Sequence, residues 1–247
     1  MPLVVAFVSQ KGGVGKSTLA RGLGTFAVNK GLKTTIADLD LQHQTTVVWE
    51  TTRARHDLKP LMDVRSFRSV ADAVNSTKTS ELLILDMAGK ITDGATEASA
   101  HAYLLVQPIS PSSDDLHISV LVFLAMQRLS VAREKLAFAL SRVLSAAEEK
   151  YARSYLASFG YAVLDGSIPE HLGYREAMGA GRSVTETSQK TLDGAAQGVM
   201  IDLLRRANAA NKALRERQRV LRKSGRSLEL VLRSTAFKEG TKRARFQ

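Results

Sequence analysis

A glycine-rich segment near the start of the chain combines lysines and hydroxyl side chains at a spacing suited to phosphate. Its sequence is Gln10-Lys11-Gly12-Gly13-Val14-Gly15-Lys16-Ser17-Thr18. Glycines let the backbone fold into a nest of N–H groups, and a following helix adds its positive N-terminal end. In such a loop Lys16 is expected to contact the β- and γ-phosphates and Ser17 to bind Mg²⁺. The segment predicts a nucleotide-binding P-loop over residues 12–18.

Two acidic motifs follow apolar runs later in the chain. Asp38-Leu39-Asp40-Leu41-Gln42 follows one run, and Leu82-Leu83-Ile84-Leu85 ends in Asp86. A carboxylate at the C-terminal edge of a buried parallel strand lies where ligands bind in open α/β sheets, so Asp86 is expected to hold Mg²⁺ through water. Asp38 and Asp40 lie two residues apart and need not share one role.

Alternating strands and helices must bring these motifs together. Short β-rich runs alternate with longer helical stretches, which favours an α/β fold with a mostly parallel sheet flanked by helices. The predicted strands are Leu3–Ser9, Lys33–Asp38, Leu61–Phe67, Leu82–Asp86, Ala102–Gln107, Leu136–Arg142 and Tyr161–Leu164. Helices are predicted to begin near Lys16, Thr45, Ser69, Asp115, Ser145 and Asp193.

Positive charge is concentrated at the C-terminal end. The chain of 247 residues carries a net charge of +11, and residues 203–247, with 14 basic and three acidic residues, account for all of it. A neutral body with a cationic extension is typical of proteins that bind a polyanion. We therefore predict a P-loop domain over residues 1–204 and a basic helix and tail over residues 205–247.

The basic region is predicted to form one long helix that ends at Gly225. Its leucines and alanines recur at helical spacing, with Arg and Lys on the other faces. Binding to DNA phosphates is the favoured interpretation. A membrane-surface helix is the alternative, although the apolar stripe is thin, rich in alanine and without Trp. The candidate phosphate contacts are Arg205, Arg206, Lys212, Arg215, Arg217, Arg219, Arg222 and Lys223.

Composition excludes several other classes of site. The chain has no cysteine, so it has no disulfide framework and no thiolate metal site. The N-terminal apolar run, Leu3–Val8, is too short for a signal-peptide core or a membrane span. These features predict a cytoplasmic protein.

The P-loop departs from the general G-x-x-x-x-G-K-[ST] pattern at its first position. Gln10 occupies the place of the first glycine, and a second lysine, Lys11, follows it. In this the chain resembles the ParA/MinD family of deviant-Walker ATPases, whose pattern is K-G-G-x-G-K-[ST]. The resemblance implies that Lys11 crosses a dimer interface and, like an arginine finger, contacts the phosphates of the partner's nucleotide.

Further segments extend the resemblance over about residues 3–204. The family shows D-x-D-P-Q where this chain has Asp38, Asp40 and Gln42, with Leu41 in place of proline. The resemblance implies that Asp40 orients the attacking water and that Asp38 and Asp86 support Mg²⁺. Segments 87–89, 108–115, 141–142 and 168–181 also resemble the family, and the implied contacts on the adenine side are Ser141, Arg142 and Pro169.

The resemblance implies a function as well as a site. The chain starts at its first predicted strand, without a helix-turn-helix extension, and so resembles the short plasmid-type ParA partition ATPases. ATP and Mg²⁺ are the implied cofactors. The resemblance implies three partners: a second copy of the chain in an ATP-dependent homodimer, nonspecific DNA of the nucleoid, and a ParB-type centromere-binding protein that stimulates hydrolysis.

Two alternative functions stay open at this point. One is a MinD-like or cargo-positioning ATPase that acts at a membrane surface or on protein clusters, since its ATPase site would be the same. The other is a metabolic or maturation enzyme of the same superfamily. The absence of cysteine disfavours the iron–sulfur members of that last group.

Overall fold

The computed structural model describes residues 1–89 and 93–223, with side chains over 1–89 and 94–220. The predicted α/β fold is confirmed. Its strands are β1 Leu3–Phe7, β2 Thr34–Asp38, β3 Asp63–Ser66, β4 Leu82–Asp86, β5 Leu104–Ile109, β6 Leu136–Val143, β7 Ala162–Val163 and β8 Ile168–Pro169. Its helices are α1 Lys16–Asn29, α2 Thr45–Arg55, α3 Val70–Ser76, α4 Asp93–His101, α5 Ser113–Arg128, α6 Ala146–Ser158, α7 Leu172–Gly179 and α8 Lys190–Lys223, with a 3₁₀ turn at Arg133–Lys135.

The strands form a parallel sheet in the order β3-β2-β4-β1-β5-β6-β7, and β8 pairs with β6. Strand β1 lies in the middle, with Val5 opposite Ile84 of β4 on one side and opposite Leu104 of β5 on the other. The winding direction of the sheet therefore reverses at β1. Ligands of open α/β sheets bind beyond the carboxyl ends of the strands at such a reversal, and the P-loop starts there.

Both faces of the sheet are covered by helices. Val5 and Phe7 pack on one face with residues of α1, α2, α7 and α8, including Leu23. Val4 and Ala6 pack on the other face with residues of α3 to α6, including Phe123. Because successive strand residues point to opposite faces, each central strand is buried on both sides. The carboxyl ends of β1, β2 and β4 are thereby held in fixed positions.

Several element boundaries differ from the prediction. The third strand is shorter than Leu61–Phe67, and β5 runs past Gln107 to Ile109. Proline is tolerated in β5 because the pairing with β1 ends at Val106, two residues before Pro108. Helix α8 begins at Lys190 rather than near Asp193, because Asp193 accepts hydrogen bonds from Thr187 and so lies inside the first turn.

A compact unit spans Met1–Ala207, and the described residues from Asn208 onward belong to a second unit. Helix α8 is described as far as Lys223. The predicted helix end at Gly225 lies outside the described residues. Over residues 1–89 and 93–223, no helix is both long enough and apolar enough to cross a membrane.

Candidate functional site

The loop after β1 brings its backbone to the N-terminus of α1. Gly13 and Gly15 have φ values of 73° and 111°, which glycine adopts without the penalty that a side chain would incur. The Ser9 hydroxyl accepts the Lys11 N–H at 3.1 Å and lies 3.2 Å from the Lys11 carbonyl, to which it can donate. Helix α1 begins at Lys16, and the N–H groups of its first turn have no partner within the helix. The loop and the helix therefore offer backbone donors at the carboxyl end of β1.

A cavity of about 910 Å³ lies over this loop. It brings together Lys16 and Ser17 of the P-loop, Asp40 after β2, and Gly89 after β4. Burial lowers the pKa of the Lys16 ammonium, while the carboxylates of Asp86 and Asp40 act in the opposite direction. Residues from three predicted motifs thus line one space, whose volume falls within the usual range for ligand sites.

Lys11 lies on the outer side of the loop and is bound to helix α5. Its Nζ donates to Oδ1 of Asp115 at 2.6 Å. The Lys11 side chain is 61% exposed to solvent, whereas the Asp115 side chain is 15% exposed. Asp115 lies in the first turn of α5, whose N-cap Ser112 accepts the Asp115 N–H. In this conformation Lys11 is paired within its own chain.

Asp38 anchors the N-terminus of helix α2. It is buried at the end of β2, and its carboxylate accepts backbone N–H groups from Asp40 at 3.1 Å, Thr46 at 2.9 Å and Val47 at 3.3 Å. A negative charge at a helix N-terminus is stabilising. The role of Asp38 near Mg²⁺ stays a prediction. Its hydrogen bonds to the start of α2 also give it a structural role.

Asp86 lies directly beside Asp38 at the end of β4. Its Oδ2 accepts the Thr46 hydroxyl at 2.7 Å, whereas Oδ1 is buried without a hydrogen-bond partner among the described residues. Burial raises the pKa of Asp86 to about 6, and the hydrogen bond from Thr46 opposes this shift. A buried carboxylate oxygen without a partner is costly, so this position favours a cation.

Asp40 lies on the rim of the same cavity and is paired with His43. The His43 backbone N–H donates to Asp40 Oδ1 at 3.1 Å, and the His43 ring Nδ1 lies 3.1 Å from both carboxylate oxygens. Partial burial raises the pKa of Asp40, but the hydrogen bonds from His43 together lower it by more, so the net shift of the pKa is downward. Asp40 is therefore held as an ionised, partly accessible carboxylate.

A second, smaller cavity of about 180 Å³ lies beside the P-loop. It is lined by Val14, Gly15 and Thr18 together with the three residues predicted on the adenine side, Ser141, Arg142 and Pro169. Pairing of β8 with β6 brings Pro169 next to the end of β6. The structure thus places these three residues around one pocket that adjoins the phosphate loop.

Sequence reasoning missed Arg21 and Thr46, and it missed the His43 contact with Asp40. The Arg21 Nε donates to the Thr46 hydroxyl at 3.1 Å, and Arg21 lines the 910 Å³ cavity. One feature of the sequence pointed to Arg21, because it lies five positions after Lys16 on the helix that the P-loop opens. Thr46 and His43 follow the D-x-D motif closely, but neither has a spacing that predicts its contact.

The basic residues predicted for DNA binding have different environments. Arg205 and Arg206 pair with Asp202, through Nε–O distances of 2.9 and 2.7 Å, and also with Asp165. By contrast, four basic side chains farther along α8 are exposed, although Arg215 contacts Asn211 and Arg219 lies 3.8 Å from Glu216. These four are Lys212, Arg215, Arg217 and Arg219. The side chains of Arg222 and Lys223 lie outside the described part of the chain.

Comparisons with known proteins agree with this geometry. Residues 5–184 match the family model described as the CobQ/CobB/MinD/ParA nucleotide binding domain. A protein named ParA from Rhizobium radiobacter is 30% identical over 118 residues, which are 48% of this chain and 53% of that relative. The chain thus matches about half the length of that curated relative.

Solved structures of two relatives share the fold. The septum site-determining protein MinD of Pyrococcus horikoshii, complexed with Mg-ADP, superposes with a TM-score of 0.63 at 16% identity, covering 81% of this chain and 95% of that one. A ParA family ATPase from Chlorobium tepidum superposes with a TM-score of 0.62 at 15% identity, covering 80% and 98%. The family match extends over most of the chain and includes every P-loop residue. The chain therefore belongs to the CobQ/CobB/MinD/ParA family of nucleotide-binding proteins.

Proposed function

We propose that this chain is an ATP-dependent DNA segregation ATPase that closes into a homodimer on ATP, binds nonspecific DNA in that state, and is reset by hydrolysis. The observation that carries the proposal is the 910 Å³ cavity, where the P-loop, Asp40 and Gly89 meet. The exposed cations of α8 support the DNA-binding part of the proposal. A protein named ParA among the relatives supports partition over the other family functions.

In this proposal the P-loop binds the triphosphate and orients it. Backbone N–H groups of residues 12–18 and the N-terminus of α1 surround the phosphate oxygens. Lys16, buried beneath the loop, balances the charge of the β- and γ-phosphates. Ser141, Arg142 and Pro169 enclose the adenine side in the adjoining pocket.

The residues at the end of β4 fit a Mg²⁺ ion. The Ser17 hydroxyl at the start of α1 can join Oδ1 of Asp86, which has no hydrogen-bond partner among the described residues. Both are hard oxygen donors, and Mg²⁺ is usually bound by one or two carboxylates together with substrate phosphates and water. Asp38, beside Asp86 in the sheet, adds negative charge to the region. When bound, Mg²⁺ neutralises charge that develops on the phosphates.

Hydrolysis requires a water molecule in line with the γ-phosphate. Asp40 lies on the cavity rim, ionised and held by His43, where it can accept a hydrogen bond from that water. We assign Lys11 to the nucleotide of the partner subunit, because its side chain is largely exposed. There its charge would stabilise the transition state, as an arginine finger does.

DNA binding is assigned to the exposed cations of α8. Lys212, Arg215, Arg217 and Arg219 are exposed and have no buried partner among the described residues, whereas Arg205 and Arg206 are committed to Asp202. Contacts with phosphates release counterions and need no base readout. Dimerisation would bring two such helices to one duplex, so the second helix binds at high effective concentration. A ParB-type protein is the partner proposed to stimulate hydrolysis.

The test is DNA binding by fluorescence anisotropy across a salt series, with and without ATP. If about five cations per chain contact phosphates, the slope of log K against log salt should be about −4.5 per chain. ATP should steepen the slope and raise the affinity. Replacement of five tail cations should weaken binding to all sequences equally and leave hydrolysis without DNA unchanged. The five are Arg215, Arg217, Arg219, Arg222 and Lys223.

The matched control removes five exposed cations from the compact unit instead. These are Lys30, Arg55, Lys59, Lys78 and Lys150. The control should keep most of its DNA affinity. Equal losses in the two variants would show that net charge alone drives binding. Binding that transfers to anionic lipid vesicles would instead support the membrane-acting alternative.

A further inference from the structure

A chain of hydrogen bonds runs from Arg21 to the carboxylate at the end of β4. Arg21 Nε donates to Thr46 Oγ1 at 3.1 Å, and Thr46 Oγ1 donates to Asp86 Oδ2 at 2.7 Å. The Thr46 backbone N–H donates to Asp38 Oδ2 at 2.9 Å. Thr46 is fully buried, so its hydrogen bonds to Asp86 and Asp38 are shielded from competing water.

The direction of each hydrogen bond follows from chemistry. A guanidinium nitrogen can only donate, and a hydroxyl has one proton. Because Arg21 donates to the Thr46 oxygen, the Thr46 proton is left for Asp86. Oδ2 of Asp86 is therefore held in one orientation, and Oδ1 is the oxygen left without a partner among the described residues.

Arg21 itself is held in place from a different direction. Its guanidinium carbon lies 5.6 Å from the centroid of the Trp49 ring. Trp49 is buried, and its indole N–H donates to the Arg182 carbonyl at 2.9 Å. Trp49 and Thr46 lie one turn apart on α2, so the same helix face positions both the arginine and the hydroxyl that it contacts. Arg21 is thus pre-organised rather than free to select another partner.

We propose that Arg21 is a positioning residue for the metal site: acting through Thr46, it orients the Asp86 carboxylate so that Oδ1 faces Mg²⁺. The inference rests on the proposed binding of a Mg²⁺–nucleotide at this site. Arg21 touches neither metal nor nucleotide in this role. Groups that hold a metal ligand in place commonly change metal affinity 10–100-fold when they are removed.

The experiment measures Mg²⁺ affinity rather than turnover. A fluorescent ADP analogue labelled on the ribose is bound in EDTA, and MgCl₂ is then titrated into a chelator-free sample. Arg21→Met should leave the ADP affinity in EDTA within about twofold and raise the apparent Mg²⁺ constant by about 10-fold or more. Arg21→Lys, which can still donate to Thr46, should recover part of the affinity. Lys30→Met removes a cation near the opposite end of α1 and serves as the control.

Thr46→Val tests the same chain without altering the charge. It keeps the side-chain shape but removes the hydroxyl, so it should weaken Mg²⁺ binding as Arg21→Met does, whereas Thr46→Ser should not. The double variant should be no weaker than the more affected single one, because both act through one hydrogen-bond chain. Thermal unfolding in EDTA checks that each variant is folded. If Arg21→Met does not fold, the Mg²⁺ affinity of Thr46→Val tests the inference.

Three results would overturn the inference. Unchanged Mg²⁺ affinity in both variants would show that the chain does not orient Asp86. Tighter Mg²⁺ binding by Arg21→Met would show that repulsion between the guanidinium and the metal dominates. A loss of ADP affinity in EDTA as large as the loss of Mg²⁺ affinity would show that Arg21 has a purely structural role. A wild-type chain whose ADP binding ignores Mg²⁺ would contradict the proposed function instead.

Discussion

Removing the charge of Asp115 should strengthen ATP-dependent dimerisation. In the described conformation Asp115 holds Lys11 at 2.6 Å within its own chain. In the proposed dimer Lys11 must leave that contact to reach the partner's nucleotide. Asp115→Asn keeps the size of the side chain and weakens the contact that Lys11 has to break.

The size of the effect follows from the exposure of the pair. Lys11 is 61% exposed, and such partly solvated ion pairs contribute about 0.2–1 kcal/mol. A symmetric dimer breaks two of them, so the total is about 0.4–2 kcal/mol. The dimer dissociation constant should therefore fall by about 2- to 30-fold.

Analytical ultracentrifugation with ATP measures this change, with Asp40→Ala in every chain to prevent hydrolysis. Asp114→Asn is the control, because it removes an exposed charge from the same turn of α5 but not the residue that holds Lys11. In a Lys11→Ala background Asp115→Asn should have no effect. A dissociation constant that stays constant or rises in Asp115→Asn would show that Lys11 does not leave Asp115 on dimerisation, as would an equal gain in the Lys11→Ala background.

Three further predictions concern binding, pH and stability. Lys16→Ala should abolish binding of labelled ATP in an equilibrium titration, since the phosphates lose their buried counter-charge. Because the pKa of Asp86 is raised to about 6, this group stabilises the metal-free fold at low pH, and that contribution disappears as pH rises through about 6. The increase in Tm caused by Mg²⁺ with ADP should therefore grow from pH 5 to 7, and Asp86→Asn should lack this growth. Arg53→Met should cost about 3–5 kcal/mol in urea unfolding, because it leaves Glu186 partly buried without its bidentate partner.

The parts of the site that lie on single elements could be predicted from the sequence. The P-loop glycines lie in the loop between β1 and α1, and Asp86 ends a short apolar run with the length and composition of a buried strand. The parallel sheet then follows from alternation of strands and helices. These inferences depend on local spacing, which the sequence displays.

Contacts between distant elements could not be predicted in this way. Lys11 and Asp115 are 104 positions apart, and Arg21 meets Thr46 across 25 positions. Helix α7 was missed because its N-cap is His171, whose ring accepts the Gly173 N–H, and histidine is not a usual capping residue. Helix α4 was missed as well, because its composition of small residues gives no apolar stripe.

In the proposed mechanism each active site draws residues from two chains. Mixing a Lys11→Ala chain with an Asp40→Ala chain and measuring phosphate release tests this sharing. Each variant alone should be inactive, since every site lacks either Lys11 or Asp40. In an equal mixture half of the dimers are mixed, and each mixed dimer has one complete site, so activity should return to about one quarter of wild type. No recovery, with mixed dimers demonstrated by co-purification of two tags, would show that Lys11 does not act on the partner's nucleotide.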